Sequence, residues 1–172
     1  MEEPNISIRA AIILDIPELV KLNNDWDKQC RDNYNNGFLS VTYDSTFFKK
    51  IIENNDIYVF VIDDRLRGYV LVNTVNETDH IINLKQEYFQ SQPKNISKKI
   101  AFSYQILLDR ELQGTGFFYE AQNRYKQLFK TKYDLLVSTV NKQNIRSLFA
   151  HKKAGWAFIY SKNNYYIIEF IL

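Results

Sequence analysis

Two short stretches of this chain carry the residue types and spacing that chemistry needs. In RELQGTGFF (110–118), Gly114 and Gly116 stand one residue apart, after the apolar ILL of 106–108 and before a segment with helical spacing. A glycine inside a helix costs about 0.5–1 kcal/mol relative to alanine, so the pair needs a reason. One reading is a tight strand-to-helix turn. The other is an anion seat, because the first amides of a helix lack internal partners and the macrodipole adds roughly half a positive charge there. The spacing excludes two familiar phosphate loops. Phe117 and Phe118 stand where a P-loop needs Lys and Ser or Thr, and the dinucleotide fingerprint needs a third glycine.

The second stretch, NIRSLFAHKKAGW (144–156), places Asn144, Ser147 and His151 along one side of a helix, since seven residues make nearly two turns. This polar stripe is either a solvated face or the wall of a cleft. The glycine turn about thirty residues upstream, with a strand between, favours the cleft.

The elements that would position these groups follow from hydrophobic periodicity. ISIRAA (6–11) reads as a strand. A helix from Leu14 to about Cys30 follows, with Ile16, Leu19, Val20 and Leu22 or Asn23 inward, Asp15 as cap and Pro17 in its first turn. A second helix spans Ser45 to Ile52. DIYVFVIDDRLRGYVLV (56–72) is a hairpin of β-branched and aromatic runs around Asp63-Asp64-Arg65. Residues 73–99 form a long polar segment containing Pro93 and a helix near Ile81–Phe89. IAFSYQILL (100–108) and DLLVSTV (134–140) read as strands, and Phe117 to about Lys130 as a helix. The helix from Asn144 to about Ala154 is closed by Gly155. WAFIY (156–160) and YYIIEFIL (165–172) form a final hairpin. The order predicts an α/β fold with a mixed sheet.

Bulk composition sets bounds. With 172 residues, 45% hydrophobic and 15% aromatic, the chain predicts one domain, 1–172, with one core. Lys and Arg number 22 against 20 Asp and Glu, and a net charge of +2 gives no global reason to bind nucleic acid or a membrane. No apolar run approaches the roughly 20 residues of a membrane span, and MEEPNISIRA lacks a signal-peptide layout. One cysteine, Cys30, and two histidines, His80 and His151, make no recognisable metal pattern. The expectation is a metal-independent, cytoplasmic protein, with His80 on the surface.

These stretches together resemble the GNAT superfamily of acetyl-CoA-dependent N-acetyltransferases. LQGTGFF is similar to its pyrophosphate loop, in which Arg or Gln, any two residues, Gly, any residue and Gly or Ala follow one another. Gln113 and Gly116 fit, and Phe118 departs at the last position. NIRSLFAHKKAGW resembles the family's Asn-rich helix ending in Lys-any-Gly-Phe, and the hairpin with Gly68-Tyr69 extends the likeness over nearly the whole chain. A bacterial branch with a Gln-Val-Cys-Val strand, a Gly-Val-Phe helix start and an Asn-any-Arg-Ser-Leu-any-Ala-His helix is closer. It corresponds to QILL (105–108), GFF (116–118) and NIRSLFAH (144–151).

The resemblance implies a mostly antiparallel sheet with a splayed parallel pair, 100–108 and 134–140, flanked by helices. It implies acetyl-CoA as co-substrate, with no metal. The backbone of Ile106, Leu107 and Leu108 would pair with the pantetheine arm. Amides around Gln113, Gly114, Thr115, Gly116, Phe117 and Phe118 would take the pyrophosphate, and Asn144 and Ser147 would line the cofactor side. His151 stands where much of the family carries a tyrosine acid, and with Tyr104, which replaces the branch's usual glycine, it is the candidate catalytic pair. Glu77, Asp79 or Glu87 would accept the amine proton through water, or the amine would arrive neutral. The acceptor, a small-molecule amine or a peptide, would be held by 23–44 and 73–99, the latter acting as a lid. The alternative is a CoA-binding module with weak or no chemistry. YYIIEFIL predicts an edge that either pairs across a homodimer or is covered within the monomer.

Overall fold

The computed structural model describes residues 5–32, 42–73 and 79–172. Among the described residues, seven strands follow the order β1-β2-β3-β4-β5-β7-β6 in a mixed sheet. The chain forms two compact units, one of residues 1–71 with 105–117, the other of 72–104 with 118–172.

In the first unit, β1 (Ile6–Ala10) pairs antiparallel with β2 (Ile57–Ile62), and β2 with β3 (Arg65–Asn73). The β2–β3 turn puts Asp63 and Asp64 at φ 48° and 60°, the primed geometry that matches the twist of paired strands and that aspartate tolerates. Two helices complete the unit, α1 (Ile16–Asp32) and α2 (Ser45–Glu53). Asp44 caps α2 by accepting from the Phe47 amide, and Phe48, Ile51 and Ile52 are its buried face. Asp15 differs from its expected role. It ends a 3-10 turn ahead of α1, accepts from the Ile12 amide and takes both guanidinium nitrogens of Arg9 at 2.7 and 2.8 Å. Burial alone would push its carboxyl up, yet Arg9 and the Ile12 amide hold it below the ordinary aspartate value.

The second unit is built on β5 (Leu135–Asn141), which pairs antiparallel with β7 (Tyr165–Ile171) along its whole length. β7 pairs antiparallel in turn with β6 (Ala157–Lys162). The terminal strand is therefore interior to the sheet, the second of the two alternatives for YYIIEFIL, and β6 is the edge. β4 (Ile100–Leu108) runs parallel to β5. Among the described residues this pairing covers Ile100↔Leu135, Ala101↔Leu136 and Phe102↔Val137.

The long polar segment contains α3 (Asp79–Ser91), longer than the sequence reading gave. Ile81, Leu84 and Tyr88 recur at helical spacing and are buried with Phe102, Val137 and Ile167. These residues are core, so a simple lid over 73–99 does not describe them; residues 74–78 lie outside the described ones. Tyr88 donates to Glu169 at 2.7 Å and accepts from Asn95, also at 2.7 Å. α4 (Phe117–Phe129) and α5 (Ile145–Lys153) complete the helices. α4 turns Ala121, Gln122, Tyr125 and Phe129 inward, and Gln122 accepts from the Trp156 indole at 3.1 Å.

Candidate functional site

The glycine turn ends in an alternation of engaged and open amides. Asp109 accepts from the Glu111 amide, and the Leu112, Gln113 and Thr115 amides donate to the carbonyls of Asp109, Arg110 and Leu112. The Thr115 hydroxyl donates to Leu112 O at 2.7 Å and accepts from the Phe117 amide at 3.3 Å. Among the described residues, the amides of Gly114 and Gly116 have no intramolecular acceptor. Both glycines sit at positive φ, 75° and 86°, and nothing lies within 4 Å of a Cβ built on either. The residues between them hold the turn, while the glycines present exposed N–H groups beside open space at the start of α4. That is an arrangement suited to a diffuse anion.

On β4, Leu107 is buried and Ile106 and Leu108 are half-buried. The Leu108 carbonyl, one of the groups expected to serve the pantetheine arm, already accepts from the Trp26 indole at 2.8 Å. Tyr104 is a β4 residue whose side chain lies outside the described part, as do those of Asp79 and His80. Glu87 is engaged: it pairs with Lys162 and accepts from Tyr165 at 2.7 Å. Glu77 lies outside the described residues.

The polar stripe of α5 is brought together. Asn144 is the N-cap, its side chain accepting from the Ser147 amide at 3.2 Å. His151 Nδ1 lies 2.7 Å from the Ser147 carbonyl and 3.2 Å from its hydroxyl. The imidazole packs edge-on against Phe118 and Trp156, with centroids at 5.0 and 5.3 Å, and the residue is 5% exposed. Desolvation outweighs the Ser147 carbonyl and pulls its pKa down to about 4. A carbonyl only accepts, so Nδ1 carries the proton and Nε2 is the bare nitrogen. At neutral pH this ring has no proton to spare. Burial among aromatic rings disfavours a charged imidazole and leaves Nε2 as an acceptor.

A second polar chain went unread in the sequence. The Asn23 amide donates to the Tyr69 hydroxyl at 2.6 Å, Tyr69 donates to Gln105 Oε1 at 2.8 Å, and Asn23 Oδ1 accepts from the Tyr43 amide at 2.8 Å. Asn23 and Tyr69 are fully buried. The chain ties α1 and the approach to α2 to the part of β4 beyond its pairing with β5. The available signal was an asparagine on the inward stripe of α1, since a buried amide needs partners. Beside it, Val20, Asn24, Tyr43, Asp44 and Phe47 line a cavity of about 540 Å³. This falls within the 23–44 stretch expected to hold the acceptor, of which 33–41 lie outside the described residues. Among the described residues, no cluster of three or more His, Cys, Asp or Glu is placed to hold a metal, and no helix is long and apolar enough to cross a membrane.

No protein-family model and no curated protein matches the sequence. Solved structures do match. A GNAT-family acetyltransferase from Listeria monocytogenes superposes with a TM-score of 0.76 at 14% identity, covering 97% of this chain and 95% of that one. One from Streptococcus agalactiae gives 0.65 at 14% identity over the same shares. A Salmonella typhimurium protein described as an acetyltransferase, solved with acetyl-CoA, gives 0.62 at 13% identity, covering 98% and 94%. At these identities the likeness is one of architecture, and the chain has the GNAT acetyltransferase fold.

Proposed function

We propose that the protein transfers an acetyl group from acetyl-CoA to a primary amine of a small molecule or peptide. The observation that carries this reading is the turn before α4, where Gly114 and Gly116 hold open amides beside space that a side chain would fill. The fold supports it, as does the Salmonella relative solved with acetyl-CoA. Acetyl-CoA supplies an activated acyl group as a thioester. The amine nitrogen forms the new bond to the acyl carbon, the carbon–sulfur bond breaks, and the thiolate and the amine exchange a proton through solvent.

The chain's own task in this reading is positioning. The glycine amides bind the diphosphate, and the Asn144 cap fixes the first turn of α5. Glu87 is held by Lys162 and Tyr165 and His151 is buried, so in this reading the amine reacts from its neutral fraction. The rate should therefore climb with pH toward the pKa of the amine itself, about 10 for a lysine-like amine, with no inflection near 6.5. Thiol release measured with a panel of amines tests the reaction. Turnover with at least one amine is expected, and none with any amine, peptide or short acyl donor would defeat the reading.

The alternative, a CoA-binding module without chemistry, is favoured by the same neutral His151 and engaged Glu87. Binding by calorimetry without turnover would establish it. The seat has its own test in Gly116→Val. A side chain at φ 86° is strained by about 1–2 kcal/mol and would stand in the open space, so acetyl-CoA affinity should fall roughly tenfold or more. An unchanged affinity would remove the turn from the site.

A further inference from the structure

Charge is distributed unevenly along this chain. Residues 135–168 contain five bases, Lys142, Arg146, Lys152, Lys153 and Lys162, and not one acid. The remainder holds 17 of the 22 bases against all 20 acids, and is net negative. Most of the basic stretch lies on α5 and β6, and those elements also carry exposed apolar side chains. Ile145 is 54% exposed, Phe149 69%, Phe158 37% and Tyr160 44%.

Between α5 and the sheet runs a groove of about 620 Å³, lined by Ile145, Leu148, Phe149, Trp156, Phe158 and Tyr166, with Lys152 on its wall. Phe158 and Tyr166 hold each other edge-to-face at 5.4 Å. Lys142 sits over the Tyr166 ring at 5.4 Å. Lys152, on the groove wall, lies in the last turn of α5, and Lys142, which precedes α5, reaches the groove through the Tyr166 ring it covers.

We infer that this groove docks a short segment of a partner protein that combines large apolar side chains with carboxylates. The apolar side chains fill the floor and the carboxylates meet Lys142 and Lys152. Three observations select this occupant. A second copy related by a two-fold axis would face the groove with its own basic residues, which like-charge repulsion opposes. A membrane surface would be met by protruding side chains, whereas a groove receives inserted ones. Strand addition to β6 is discouraged by the register shift between Phe158 and Tyr160 and by Lys162, two features that guard an edge. Side chains in the groove, rather than backbone at the edge, then supply the contact.

The test is selection of a random twelve-residue displayed peptide library on the full chain, with CoA present in excess to mask the seat at the glycine turn. Enrichment of sequences joining Phe, Leu or Trp with Asp or Glu is expected. The best peptide should bind Phe149→Ser at least tenfold more weakly, and Lys152→Glu should prefer the same peptide with its acids changed to lysine. Unchanged acetyl-CoA affinity shows that both variants are folded. Enrichment of basic or uncharged sequences, or binding indifferent to both substitutions, would overturn the inference. So would self-association abolished by Phe149→Ser in sedimentation, or preferential capture by phosphatidylserine vesicles.

Discussion

At the scale of single residues, His151 shows how burial assigns a role. In the sequence it is a polar member of a helical stripe, with a reference pKa near 6.5. In the fold its ring is enclosed by Phe118 and Trp156 and its pKa falls to about 4. The unfolded chain binds this proton below pH 6.5 and the folded chain does not. Stability is therefore full above about 6.5 and declines as pH drops toward 4, by roughly 3 kcal/mol at the lower limit. Urea midpoints measured across that window should show the decline, and His151→Gln should flatten it. Equal slopes for both proteins would contradict a buried neutral ring. Asn23 gives a complementary case. Asn23→Ala leaves the Tyr43 amide without its acceptor and Tyr69 without its donor, at a cost of about 1–3 kcal/mol, readable as a lower urea midpoint at unchanged slope.

At the scale of elements, the legible ones are those whose signals are local. Asp63-Asp64 declares a primed turn, the glycine pair declares the start of α4, and Asn144 and Gly155 bracket α5. α3 was blurred because Ile81, Leu84 and Tyr88 are separated by Asn83, Lys85, Gln86 and Glu87, and the partners of Glu87 and of the Tyr88 hydroxyl on β6 and β7 are distant in sequence. The site divides the same way. The proposed seat for an anion reads from spacing, whereas the protonation of His151 and the engagement of Glu87 depend on distant packing. Gly68 illustrates a further limit, since the sequence reading took it only as part of a hairpin. A Cβ there would lie 2.6 Å from the Leu107 carbonyl and 2.8 Å from a Leu108 methyl. Gly68→Ala should force β3 away from β4 and lower stability by about 1–3 kcal/mol, seen as a reduced thermal midpoint. If the midpoint holds, the close approach is not structurally required.

At the scale of the whole molecule, the mixed sheet and its short parallel pairing were anticipated from the alternation of strands and helices together with the family resemblance. The place of the last strand was not, because an apolar run such as YYIIEFIL reads the same whether it ends at an edge or is inserted between two strands. The structure inserts β7 between β5 and β6. A ribosome delivers this strand after all six others. Until it leaves the exit tunnel, β5 has no partner on that flank, and the helices that cover it have only half a platform. The sheet of the second unit is completed only when β7 emerges, and until then the unpaired flank of β5 is a surface open to aggregation.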